Sequence, residues 1–189
     1  MSVFKGTDME RIRLKTGDCL LIKGLTVNEP MTLYYVRDVN DDKILARSIY
    51  IHDTMVQGLE YAREYDNDIP IDAFLLPEGT YDRVKESMKS FVEETRNYLC
   101  ANCICNGFKV RVGGHYWERH IETITEIDGN KTKSNVFRLE AENISPCWTG
   151  EGFVDGLERN GVEVPEEAFN EVKRRYSQYV KNLKESLVV

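Results

Sequence analysis

The sequence predicts an α+β protein made of two tandem related units, each a small curved antiparallel sheet or partial barrel followed by one long amphipathic helix. Three observations predict it. First, Pro77–Leu99 and Pro165–Leu187 match at Pro77/Pro165, Glu78/Glu166, Val84/Val172, Lys85/Lys173, Val92/Val180 and Leu99/Leu187, an offset of 165 − 77 = 88 residues. Each stretch opens on a proline, which suits a helix start because its missing N–H has no intrahelical partner there. Each repeats apolar residues at three- and four-residue spacing, the pattern of a helix that buries one face. Second, V-x-G-L-E occurs at Val56–Glu60 and again at Val154–Glu158, each time ahead of a helix. A weaker echo pairs Gly17–Ile22 with Gly107–Val112. Third, several short strand patterns precede each helix with no β-α-β-α alternation, which disfavours a doubly wound parallel sheet. A period this long is the size of a domain, well above the roughly 20–50 residues of solenoid repeats. The units therefore run over 1–99 and 107–189, with a cysteine-containing linker at 100–106.

The elements follow in chain order. Arg11–Leu25 reads as strand, turn, strand, with Ile12 and Leu14 alternating against charged neighbours and Thr16-Gly17-Asp18 as the turn. Thr32–Arg37 and Ile44–Ile51 are rich in aromatic and β-branched residues, and Asn40-Asp41-Asp42 separates them as a hairpin turn. Across His52–Tyr65, Met55, Leu59, Tyr61 and Ala62 allow a short helix. Ile69-Pro70-Ile71 and Ala73–Leu76 fit an edge strand, where proline is tolerated. In the second unit Gly107–Val112 is a strand, Gly113-Gly114 a turn and Tyr116–Ile127 a β-rich stretch. Asp128-Gly129-Asn130-Lys131 signals a turn, Val136–Ile144 is the returning strand and Ser145–Gly161 a loop. The helices turn Tyr81, Val84, Met88, Phe91, Val92, Thr95 and Leu99, and Phe169, Val172, Tyr176, Val180, Leu183 and Leu187, towards their sheets.

Composition bounds the function. Hydrophobic residues make 41% and charged residues 30% of 189, which is ordinary for a soluble globular chain. No run approaches the roughly 20 apolar residues that span a bilayer, and the start carries no apolar signal core. A cytoplasmic chain with reduced thiols is the expectation. A net charge of −7 argues against phosphate-backbone binding, which rests on clustered Lys and Arg. Lys173-Arg174-Arg175 is a local basic group, with acidic residues flanking it.

Two constellations could carry chemistry. Cys100-x-x-Cys103-x-Cys105 places three thiols within six residues, and Cys147, His115 or His120 could complete a tetrahedral zinc site. The second C-x-x-C or H-x-x-x-H that would complete such a motif is missing, so reduced cysteines at a junction are the simpler reading. His115-Tyr116-Trp117-Glu118-Arg119-His120 puts Glu118 and His120 on one side of a strand, a pairing suited to acid–base work, yet no nucleophile or oxyanion donor can be placed beside it. P-loop, dinucleotide, nucleophile-elbow and EF-hand patterns are absent. Tyr34, Tyr35, Tyr50, Tyr61 and Tyr65, among the ten tyrosines, could line a recognition surface, with Trp148 as a further aromatic. The expectation is a non-enzymatic binding or adaptor protein of two duplicated small domains, with a protein partner, no cofactor, no nucleic acid and no membrane. A zinc protein or enzyme centred on Cys100, Cys103, Cys105, Cys147 and His120 is one alternative. A nucleic-acid-associated protein is the other.

Overall fold

The computed structural model describes residues 14–23, 30–40, 43–59, 61–66, 73–104, 113–117, 120–155 and 162–187. The first half contributes β1 (Cys19–Lys23), β2 (Met31–Val39), β3 (Lys43–His52), β4 (Met55–Gly58), β5 (Arg63–Asp66), β6 (Ala73–Leu76) and α1 (Thr80–Ala101). The second contributes β7 (Gly113–Trp117), β8 (His120–Asp128), β9 (Lys131–Glu140), β10 (Asn143–Phe153), β11 (Val162–Val164) and α2 (Glu166–Leu187). Arg11–Arg13, Gly107–Val112 and Ile69–Ile71, read as strands above, lie outside the described residues.

All eleven strands among the described residues belong to one antiparallel sheet, in the order β11-β7-β8-β9-β10-β4-β3-β2-β1-β6, with β5 beside β3. This corrects the expectation of two tandem strand–helix units with separate sheets. The halves join where β4 meets β10, through the pairs Gln57/Asn143 and Val56/Ile144. The core is shared as well. A single buried cluster takes Leu21, Leu33 and Ile51 from the first half, Ile121, Phe137 and Leu139 from the second, and the apolar faces of both helices. The physical reason is area. A half of about 90 residues buries a marginal core by itself, and pooling two sheets and two helices removes more apolar surface from water.

The helices cover one face of the sheet, here called the inner face, and each leans on the other's half. α1 packs against β9 as well as β2, and α2 against β3 as well as β7 and β8. Arg96 of α1 donates to the Leu139 carbonyl at 3.0 Å, and Lys85 pairs with Glu142 at 2.8 Å. Lys184 of α2 pairs with Asp53 at 2.6 Å, and the Tyr176 hydroxyl donates to the His52 carbonyl at 3.1 Å. Where the helices meet, Phe91 stacks on Tyr179 with centroids 4.7 Å apart, and the Ser87 and Tyr179 hydroxyls are 3.1 Å apart. Every helix residue assigned to the buried faces from spacing is buried, with Thr80 and Ala168 added at the helix starts.

An 88-residue offset also runs through the strand registers. Thr32 lies opposite Tyr50, and His120 opposite Arg138; β2 slips between Val36 and Asp38, and β8 between Ile124 and Glu126. Ile51 pairs with Val56, and Leu139 with Ile144. β4 and β5 together occupy beside β3 the place that β10 takes beside β9. The second V-x-G-L-E is out of step with this register: Val154 follows β10, whereas the position 88 residues beyond Val56 is Ile144.

Three local expectations also give way. His52–Tyr65 forms β4 and β5 rather than a helix, because Val56 and Tyr65 find partners in Ile51 and Ile44. Gly113-Gly114 opens β7 instead of turning the chain. There a Cβ on Gly114 would meet the Val164 carbonyl at 2.9 Å, so the glycine permits close approach of β11. Much of the expected Ser145–Gly161 loop is strand, with a bulge between Ser145 and Trp148. The turn at Gly129-Asn130 is as expected, with Gly129 in the left-handed region at φ 57°.

Candidate functional site

Strand alternation assigns the tyrosines to faces. Tyr35 is on the inner face, its ring 5.5 Å from that of Tyr81 on α1. Tyr34 is on the outer face, packed against a second cluster formed by Leu14, Leu20, Val36, Ile44 and Ala46. Tyr50 is on the outer face too, since its neighbours Ile49 and Ile51 belong to the inner core. It stacks with His52 at a centroid distance of 6.2 Å. Tyr34 and Tyr50 therefore share a surface, and Tyr35 is half-buried on the opposite face, packed against the inner core. Trp148 occupies the β10 position opposite Val136.

The outer face is continuous across the junction of the halves. Tyr50 lies opposite Gln57, Gln57 opposite Asn143, and Asn143 opposite Glu140. Arg138 lies opposite Ser145 on one side and His120 on the other. Tyr50, His52, Gln57, Arg138, Glu140 and Asn143 are all half-buried. His52 is held in a local turn: the Thr54 amide donates to its Nδ1 at 3.3 Å, and the Thr54 hydroxyl is 2.8 Å from the same atom. An amide can only donate, so Nδ1 is the acceptor and Nε2 carries the proton of the neutral ring. The Ser145 hydroxyl donates to Asn143 Oδ1 at 3.2 Å.

Towards β11 the outer face becomes charged and buried. Glu122 is 8% exposed and Glu163 only 5%. Burial pushes the His120 imidazole below its ordinary value; Arg138 adds to the push, while Glu122 and Glu140 oppose it. Sequence reading singled out His120 but missed Glu122 and Glu163, which lie on either side of His115 in the ladder. The available signal was alternation: His120 and Glu122 are two apart on a strand and must share a face. Glu118, the partner proposed from sequence, lies outside the described residues.

The thiols lie elsewhere. Cys100 is exposed at the end of α1, and Cys103 is half-buried, its thiol donating to the Leu99 carbonyl at 3.2 Å. Cys103 packs against the inner core, whereas His120 is on the outer face, so the sheet stands between them. One tetrahedral ion cannot take both. Cys105 lies outside the described residues, and Cys147 falls in the β10 bulge. Among the described residues no group of three or more His, Cys, Asp or Glu side chains is placed to hold a metal. The basic trio is also engaged: Arg174 and Arg175 bond Glu171 at 2.8 and 2.9 Å, and Lys173 sits 4.8 Å from the centre of the Phe169 ring.

An open groove of about 520 Å³ lies at the far end of the β8–β9 hairpin, lined by Glu126, Asp128, Lys131, Lys133, Glu151 and Phe153. Its opposite charges pair, Lys133 with Glu126 at 2.7 Å. No described helix is long and apolar enough to cross a membrane. No protein-family model, no curated protein and no solved structure matches the chain.

Proposed function

We propose that the chain is a non-enzymatic binding protein, that its two halves arose by duplication within a single sheet, and that a protein partner docks on the outer face across the β4–β10 junction. One observation carries this reading. The helices cover the inner face, and the outer face opposite them gathers half-buried Tyr50, His52 and Gln57 from one half with Asn143, Arg138 and Glu140 from the other. Aromatic and arginine side chains, here Tyr50 and Arg138, are the groups that protein interfaces favour, and Glu140 adds one acidic contact beside them. The common 88-residue offset of strand register and helix sequence supports the duplication.

The test is affinity purification of an interacting protein with the wild-type chain, followed by Tyr50→Ala and Arg138→Ala. An anchor residue should cost about 1–2 kcal/mol or more of binding free energy, close to a tenfold loss of affinity or greater. Unchanged capture by both variants removes the outer face from the proposal. Turnover in a substrate screen that survives careful purification removes the non-enzymatic reading.

A further inference from the structure

The register that relates the two halves makes β6 and β11 equivalent outer edges. Leu75 lies opposite Leu20, and Leu20 opposite Tyr34; Glu163 lies opposite His115, and His115 opposite Glu122. Leu75 and Glu163 are 88 residues apart, as are Tyr34 and Glu122. The two edges nevertheless differ. At β11 the Ile104 amide donates to the Glu163 carbonyl at 2.8 Å, so the outward side of that strand is occupied. Among the described residues, β6 is bonded to β1 alone. Backbone groups along an antiparallel strand face one neighbour and then the other in turn. At the register position of Glu163, Leu75 therefore turns its N–H and C=O away from β1. Its side chain is 56% exposed. Edge strands are commonly guarded by lysine, proline or a bulge. Ala73-Phe74-Leu75-Leu76 is short and is followed by Pro77, which confines any new pairing to the bonds around Leu75, but the strand itself carries neither residue and pairs with β1 in unbroken register.

We propose that β6 is a self-association edge, at which two copies of the chain pair β6 antiparallel to β6 about a two-fold axis through Leu75. At that position each Leu75 exchanges both backbone bonds with its counterpart. A second copy is the occupant this strand fits. No side chain from 73 to 76 is charged, so a chain of net charge −7 meets itself there without opposing like charges within the strand. The axis sets Leu75 against its counterpart on the outer face and Phe74 against Leu76 on the inner, apolar cross-strand pairs of the favourable kind. The chain already makes one antiparallel junction of this brevity, the two residue pairs that join β4 to β10.

Sedimentation velocity on the full chain, from about 1 µM to about 1 mM, tests the proposal across the range in which a short edge contact should dissociate. A reversible monomer–dimer equilibrium is expected. Leu75→Lys should weaken it about tenfold or more, because it sets two like charges face to face. Phe153→Lys makes the same change of charge at an apolar residue 62% exposed on another strand, and should leave the equilibrium unchanged. Hydrogen exchange on the wild-type protein gives a second reading that needs no variant: the Leu75 amide should gain protection as concentration rises. A wild-type monomer throughout, a dimer that Leu75→Lys leaves intact, an equal effect of Phe153→Lys, or a Leu75 amide indifferent to concentration would each overturn it.

Discussion

Glu171 accepts from Arg174 and Arg175 on the exposed side of α2, and these bonds hold its carboxyl down to about 2. A folded value below the unfolded one means that the pairs stabilise α2 above the ordinary carboxylate range and are lost as pH falls towards 2. Side-chain NMR titration should find the Glu171 midpoint far below that of an exposed glutamate, and Arg174→Ala should move it upward. At the opposite end of the scale, burial pushes the Tyr81 and Tyr179 phenols up to about 12. Here the folded value is raised, so the contribution is complete below about 10 and disappears as pH climbs through 12. Alkaline unfolding followed by circular dichroism should therefore begin between these limits, and the double variant Tyr81→Phe/Tyr179→Phe should flatten it. In the core, Val84 and Val172 are 4% and 0% exposed, and an aspartate at either should cost about 3–5 kcal/mol in a urea titration.

At the scale of elements, the helices and the first hairpin were the most readable parts. Val84, Met88, Phe91, Val92, Thr95 and Leu99 recur at a period that only a helix turns into one face, so their burial follows from spacing alone. β10 was unreadable for the converse reason. Pro146, Gly150 and Gly152 are loop-forming residues on sequence statistics, yet the glycines are there to admit neighbours: a Cβ on Gly150 would stand 2.9 Å from Val136 Cγ2 and one on Gly152 3.1 Å from Thr132 Oγ1. Gly114 is a similar case at the edge. Gly114→Ala should push β11 off β7 and cost about 1–3 kcal/mol, measurable as a lower midpoint in thermal unfolding. The outer-face site was half legible. Alternation predicts that Tyr50 and His52 share a side, but no local pattern says that Gln57 will meet Asn143. Long-range pairing leaves no periodic trace in either strand.

For the whole molecule, the shared core sets a test of cooperativity. Helices that lean on one another's half should make the chain unfold as a unit. Native-state hydrogen exchange should show the slowest amides of β3 and β9 opening with the same free energy, and Val172→Asp should lower both together although it lies in the second half. Separate transitions for the two halves would contradict the single core. The sequence similarity of the helices pointed to two related parts, and it was silent on whether they stand apart or merge. That choice lies in which edge strand each half leaves open, here β4 and β10, and strand composition does not encode it.

The reach of α1 across to β9 and the Leu139 carbonyl has a consequence for biosynthesis. The ribosome releases α1 about forty residues before its support in β9 exists, and at elongation speeds of about 5–20 residues per second that interval lasts seconds. For that time the newly made chain carries an oily stripe that the first half covers only in part, so the cell must either hold it with a chaperone or risk losing it to clumping.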